Sequence, residues 1–313
     1  MNLFNRFLVF ATFLLIIAGG LVTSTDSGLA VPDWPKSYGM WMPPMVGGVF
    51  YEHGHRMVAA TVGFLTIILA LWLWIKEKRK WVRNLGLIAL LAVVLQGVLG
   101  GLTVIFLLPT PISVMHATLA QTFFCIITSL ALFTSTEWKT DRPKIETSGH
   151  PWRLFLATTI AIYCQLILGA WMRHSKAALA IPTFPLAFGR IIPQFTSPEI
   201  AIHFAHRVGA LVVFSLICAT FITVIRSYRS EKKLLIPSTI LFCLLFAQIA
   251  LGGLTVLSGT AVFFATAHVA TGALMLATSV VLTLRSYRLF DRKHIVAAGL
   301  RPAPTARIVT RSA

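Results

Sequence analysis

Eight long apolar stretches constrain this chain more than any other feature. They cover residues 7–25, 57–75, 85–107, 112–133, 154–171, 208–225, 235–257 and 261–284. Each holds about 18–23 residues, and ~20 suffice for a helix to cross a ~30 Å hydrocarbon layer. Lipid offers no partner to a free backbone N–H or C=O, so such runs must become helices. Composition agrees, with 57% hydrophobic and 12% charged residues, against ~45–50% and ~25% in soluble domains. The first run reads as a span and not as a cleaved leader, because it is long and preceded only by Arg6. The expected class is an all-α integral membrane protein with eight transmembrane helices.

The formal charge of +17 would suggest nucleic acid in a soluble protein. The placement of the cations argues otherwise. Of the 27 Lys and Arg residues, 21 fall in the N-terminus, 76–83, 137–153, 226–233 and the tail from Arg285. Only Lys36, Arg56, Arg173, Lys176, Arg190 and Arg207 fall in the alternate connections. The positive-inside rule then makes both termini cytoplasmic and puts the two long loops, 24–56 and 172–207, outside. The basic charge is topogenic, and no nucleic-acid partner is expected. All four cysteines (Cys125, Cys164, Cys218, Cys243) lie in the apolar runs, where a thiol packs as a small hydrophobe, so no external disulfide is expected.

The chain is also written twice. Ala30, Pro32, Pro35 and Gly39 recur 150 residues later as Ala180, Pro182, Pro185 and Gly189. His55-Arg56 recurs as His206-Arg207 at 151. Gln96, Gly100-Gly101-Leu102-Thr103-Val104 and His116 recur at 152 as Gln248, Gly252-Gly253-Leu254-Thr255-Val256 and His268. The expected division is a four-helix half over 1–136, a cytoplasmic linker over 137–153, a second four-helix half over 154–286 and a basic tail over 287–313. Four spans per half make the repeat parallel, with the two bundles related by a pseudo-twofold axis along the membrane normal. Gly19-Gly20, Gly97, Gly100-Gly101 and Gly252-Gly253 are places where a helix or a flat ligand can come close.

Histidine within a membrane helix marks a functional site by default. Of nine histidines, four obey the repeat: His55 with His206, and His116 with His268. All four are expected in the outer leaflet, the first pair at the outer ends of spans two and six, the second one to two turns inside spans four and eight. His150 and His294 read as cytoplasmic, and His53 and His174 as loop residues without a role. Two imidazoles are too few for zinc, which wants four ligands or three plus water. Haem iron needs only axial ligands, because the porphyrin supplies the rest. Two bis-histidine haem sites are therefore expected, with Arg56 and Arg207 available to propionates. The halves differ at one position: Glu52 stands three residues before His55, and His203 three before His206. An acid in one half only points to a reacting site there and an electron-transfer site in the other.

With these residues in view the chain resembles the haem A synthase family. The likeness rests on Gly19-Gly-Leu-Val-Thr-Ser-Thr-Asp-Ser-Gly28, Glu52-His-Gly-His55-Arg56, Gly100-Gly-Leu-Thr103 and Met115-His116-Ala117, with His206-Arg207, Gly252-Gly-Leu-Thr255 and His268 as echoes. The resemblance implies that haem O is bound by His55 and His116 and that its ring methyl is oxidised, through alcohol and gem-diol stages, to the formyl group of haem A. It implies a resident haem b on His206 and His268, and Glu52 as the functional acid, acting as proton acceptor or as stabiliser of a cation. Many members carry a cysteine pair in the first outer loop; this chain has none and resembles the cysteine-free branch. The implied setting is a prokaryotic plasma membrane, with haem O synthase upstream, cytochrome oxidase assembly downstream, and an electron acceptor and oligomeric state that the sequence leaves open. Two other readings stay open on the residues alone. One is a dihaem b-type cytochrome moving electrons between quinol and a partner; the other is a small-molecule transporter.

Overall fold

The structure is a computed structural model that describes residues 2–140 and 151–290. Eight long helices dominate it: α1 (Asn2–Ser24), α2 (Gly48–Lys76), α3 (Lys80–Ile105), α4 (Thr110–Phe133), α6 (Pro151–His174), α7 (Pro198–Ser227), α8 (Lys232–Leu257) and α9 (Val262–Leu289). The short α5 (Thr136–Thr140) follows α4. All eight long helices are apolar and long enough to cross a membrane. Most of the expected tail and most of the linker, with His150 and His294, lie outside the described residues, and α9 continues three residues past the expected end of the second half.

The helices outrun the apolar stretches that announce them. The 29 residues of α2 span about 43 Å at ~1.5 Å each, well beyond the ~30 Å hydrocarbon layer. Helix α2 starts nine residues before its apolar run and α7 ten before its own, and in these extensions Glu52, His53 and Arg56 of α2, and His203 and Arg207 of α7, bond the long loop that precedes each helix. His53 is thus a helical residue, buried on α2, and His174 is the last residue of α6, so neither belongs to a loop.

Helices α1 to α4 pack in sequence and α1 closes back on α4; α6 to α9 repeat this arrangement, with α6 closing on α9. The two bundles meet through α1, α4, α6 and α9. At the seam Ile16 and Phe124 pack with Ala273 and Ala277, and the Thr122 hydroxyl lies 2.7 Å from that of Tyr163. Small residues on α9 allow this approach where lipid gives no hydrophobic drive between helices. Each bundle has its own core. Leu8, Val62, Leu69, Leu73, Val82, Ala89, Phe123, Ile127 and Leu130 fill the first; Phe155, Ile217, Val224, Leu234, Leu241, Leu276 and Leu282 are central to the second. Both cores occupy the end of the bundle away from the repeated histidines. That end is clamped in the first half by Glu77, whose two carboxylate oxygens each take a 2.9 Å bond from Arg79. Those bonds hold the Glu77 carboxyl down at about 2, and Arg79 also reaches the Phe133 carbonyl at 2.9 Å. All four cysteines are free thiols.

Candidate functional site: four histidines on four glycines

The histidines enter from the same end of each bundle. His55 lies seven residues into α2, His206 eight into α7, and His116 and His268 six into α4 and α9. At ~1.5 Å per residue, all four stand about 9–12 Å below their helix starts. His55 and His206 stand two residues before the apolar runs of α2 and α7, and both helices begin about two turns before them. Helices α2 and α4 bring His55 and His116 into the first bundle, and α7 and α9 bring His206 and His268 into the second.

Each imidazole rests on a glycine of a neighbouring helix. A Cβ at Gly19 would fall 3.2 Å from His55 Cε1, and one at Gly100 3.1 Å from His116 Cε1. At Gly169 the distance to His206 Cε1 would be 2.9 Å, and at Gly252 that to His268 Cε1 3.0 Å. In all four pairs Cε1 is the nearest atom, then Nδ1, then Nε2. The ring meets the helix backbone by the same edge each time, in a gap that a methyl group would fill. Three of these glycines stand out in the sequence. Gly169 is passed over there, although its offset of 150 from Gly19 is the available signal.

Glutamines address the rings from behind. Gln96 Nε2 donates to the His116 carbonyl at 3.0 Å, and His268 Nδ1 lies 3.1 Å from the Gln248 carbonyl. A third glutamine breaks the repeat. Gln165 on α6 donates to the His206 carbonyl at 2.7 Å and lies 3.1 Å from His206 Nδ1. Its counterpart on α1, 150 residues earlier, is Leu15, and His55 Nδ1 is buried without a hydrogen-bond partner. The sequence signal for Gln165 is a lone amide inside an apolar run.

Glu52 and Arg56 form one unit on the second and third turns of α2. Glu52 is only 4% exposed; it pairs with Arg56 at 2.5 Å and accepts the Val31 N–H at 2.8 Å. Arg56 also donates to the carbonyls of Asp33 (2.8 Å) and Lys36 (2.9 Å). In the second half the Ile181 N–H lies 3.3 Å from His203 Nδ1, and Arg207 donates to the carbonyls of Ile181 (3.0 Å) and Thr183 (2.7 Å). Both arginines thus fasten an outer loop down onto the histidine end of their bundle. The Asp33 carboxyl, held below its usual range by the N–H groups of Gly39 and Tyr38, shapes the first loop. His53 does the same from α2 through Ser37, at 2.8 Å.

The donor set narrows the chemistry. Among the described residues no three His, Cys, Asp or Glu side chains gather as a metal site. Facing imidazoles without carboxylate or thiolate fit an iron whose other ligands come from a macrocycle. The glycine gaps and the buried, unpartnered Nδ1 atoms of His55 and His116 fit it too. Both large apolar clusters lie toward the opposite end of the bundles.

Comparison with known proteins identifies the family. The model of the COX15-CtaA family, described as cytochrome oxidase assembly protein, matches residues 46–280. Proteins named heme A synthase are similar along most of their length. That of Halalkalibacterium halodurans is 27% identical over 272 residues, 86% of this chain and 91% of its own. That of Shouchella clausii is 30% identical over 252 residues, 78% and 83%. That of Symbiobacterium thermophilum is 31% identical over 251 residues, 77% and 80%. With the matched segment running from the second helix of the first bundle almost to the end of the last, the chain belongs to the COX15-CtaA family of cytochrome oxidase assembly proteins, the haem A synthases.

Proposed function

We infer that this protein is a haem A synthase, a multi-pass membrane oxidoreductase of a prokaryotic plasma membrane that converts the ring methyl of haem O to the formyl group of haem A. The observation that carries the reading is the imidazole pair seated on glycines in each bundle, in a chain of this family. Haem O is the substrate of the first half, held by His55 and His116 with Arg56 at the rim. A resident haem b belongs to the second half on His206 and His268, with Arg207 in the corresponding place. Bound iron supplies the electron transfer and oxidising power that side chains lack.

The protein's own residues bind, orient and exclude. The glycines make room for each ring against the neighbouring helix, and the fastened loops limit water at that end. Glu52 is the one carboxylate within a helical turn of a paired histidine. Paired with Arg56 and accepting the Val31 N–H, it is positioned to hold or pass a proton at Oε1 or Oε2 beside His55. An acid in one half only favours the enzyme over a dihaem electron-transfer cytochrome. Haem O synthase is the supplier this chemistry requires, and cytochrome oxidase assembly the destination of the product.

The test is pigment analysis. Purified from cells that make haem O, the wild-type protein should yield haem A and a low-spin b-type spectrum. His206→Leu or His268→Met should abolish or shift that spectrum. Two stable b haems with haem O unchanged would establish the cytochrome instead, and an unaltered spectrum in both variants would sink the assignment of the resident haem.

A further inference from the structure

Each outer loop ends in a tight turn whose most exposed side chains are large and apolar. In the first, Ser37 and Met40 pair in an isolated antiparallel bridge around Tyr38 and Gly39; in the second, Ala187 and Arg190 do so around Phe188 and Gly189. The turn glycines have φ of 68° and 76°, a region that suits residues without a Cβ. Directly after the bridges come Trp41 and Met42, 72% and 63% exposed, and Ile191 and Ile192, 82% and 62% exposed. The side chains differ between the loops; their size, apolarity and position do not.

The loops also fix the depth of these tips. Arg56 sits eight residues into α2, about 12 Å below the helix start, and holds the carbonyls of Asp33 and Lys36. Trp34 lies flat on Gly101, four residues before the end of α3, where a Cβ would meet its ring at 2.7 Å. Arg207 and Gly253 hold the second loop in the same way, the latter beneath Phe184. Both loops are thus drawn down to the level of Arg56 and Arg207. The apolar runs of α2 and α7 begin one residue later, at 57 and 208. That level is where the polar helix ends give way to hydrocarbon, the zone that collects Trp, Tyr and snorkelling cations. A cation accompanies each tip: the Lys36 ammonium stands 5.5 Å from the centre of the Trp41 ring, and Arg190 adjoins Ile191.

We propose that the two tips, residues 40–42 and 190–192, are membrane anchors that insert their apolar side chains into the headgroup–acyl boundary of the outer leaflet. Lys36 and Arg190 remain at the phosphate level. The partner is the phospholipid surface around the protein. A docking protein would select one loop and its sequence, whereas a surrounding bilayer selects for apolarity alone in both halves. The anchors keep the loops against the bundle flanks, over the histidine ends.

Depth measurement decides this. Spin labels at Trp41→Cys and Ile191→Cys, with the four native cysteines replaced and the full chain in phosphatidylcholine–phosphatidylglycerol vesicles, should collide more with oxygen than with a water-soluble nickel chelate. A label at Gly39→Cys should show the reverse. Greater nickel access at position 41 or at 191 would overturn the proposal, and so would shielding of either label from both relaxants, the signature of a protein contact. Should the labelled variants fail to fold, the unlabelled protein still answers. Lipids brominated near the headgroup should quench part of its tryptophan fluorescence, and Trp41→Phe should lower the quenchable fraction measurably. An unchanged fraction would overturn the first anchor.

Discussion

The two halves share a frame and differ in what stands behind the histidines. In the second half His206 is backed by Gln165, and the carboxylate position is taken by His203. In the first half Leu15 replaces Gln165, His55 Nδ1 is unpartnered, and Glu52 is paired with Arg56. A ring gripped from behind suits a ligand to a permanent group. A ring seated on a glycine with no amide behind it suits a site whose occupant must arrive and leave. On the assignment proposed above, the same four-helix frame supports two sites whose occupants differ in lifetime. On the proposed assignment, the substrate belongs in the half with the looser ring and the acid.

The largest effect that tests this contrast is at Glu52. Glu52→Gln keeps the side-chain volume and the hydrogen bond from Val31 but removes the charge that Arg56 neutralises. Protein yield and the second-half haem spectrum should hold. Haem A formation should fall by ~10²–10⁴-fold, the usual weight of general acid–base catalysis, with haem O or a partly oxidised haem retained. His203→Gln should be milder. Normal haem A output from Glu52→Gln, with His203→Gln inactive, would place the reacting site in the other half.

Next in size is the glycine seat, which tests what the halves have in common. An alanine methyl at Gly169 would come within 2.9 Å of His206 Cε1, and one at Gly252 within 3.0 Å of His268 Cε1. Overfilling a packed site costs about 1–3 kcal/mol, so haem retained through purification should drop several-fold to about a hundredfold. Gly19→Ala and Gly100→Ala should spare the resident spectrum and weaken haem O binding instead. A uniform loss of resident haem from all four variants would show that the halves are not separate sites.

Eight apolar runs, a 150-residue repeat and four histidines in register are readable without coordinates because each follows from periodicity or spacing. Helix length is not. The nine residues before Met57 are too polar for a hydropathy signal, yet they are helical because Glu52, His53 and Arg56 spend their polarity on the backbone and side chains of the outer loop. The arginines add a role that the sequence does not announce: Arg56 and Arg207 bond loop carbonyls. Gly169 and Gln165 are invisible for opposite reasons. The first looks like any membrane glycine until a ring is found on it, and the second has no repeat partner to draw attention to it.

The smallest effect, and the sharpest for the comparison, comes from exchanging the residues behind the first ring of each half. Gln165→Leu leaves the His206 carbonyl without its 2.7 Å donor and frees the ring to rotate about its side-chain bonds. Leu15→Gln offers His55 the amide it lacks. Loss of an outer partner to a metal-binding histidine weakens affinity by ~10–100-fold. The low end, about tenfold, is expected for Gln165→Leu, because His206 keeps its seat on Gly169. Resident haem per protein should fall on dilution, with a shifted reduction potential as the readout that mere loss of protein would not move. Leu15→Gln should act oppositely, slowing release of haem from the first half and so lowering turnover while substrate binding tightens. If instead Gln165→Leu holds its haem and potential unchanged while His206→Leu loses the haem, the ligand assignment stands and the amide is packing alone. If Leu15→Gln leaves turnover and haem release untouched, the difference in lifetime between the two sites must come from Glu52 and the loop it fastens.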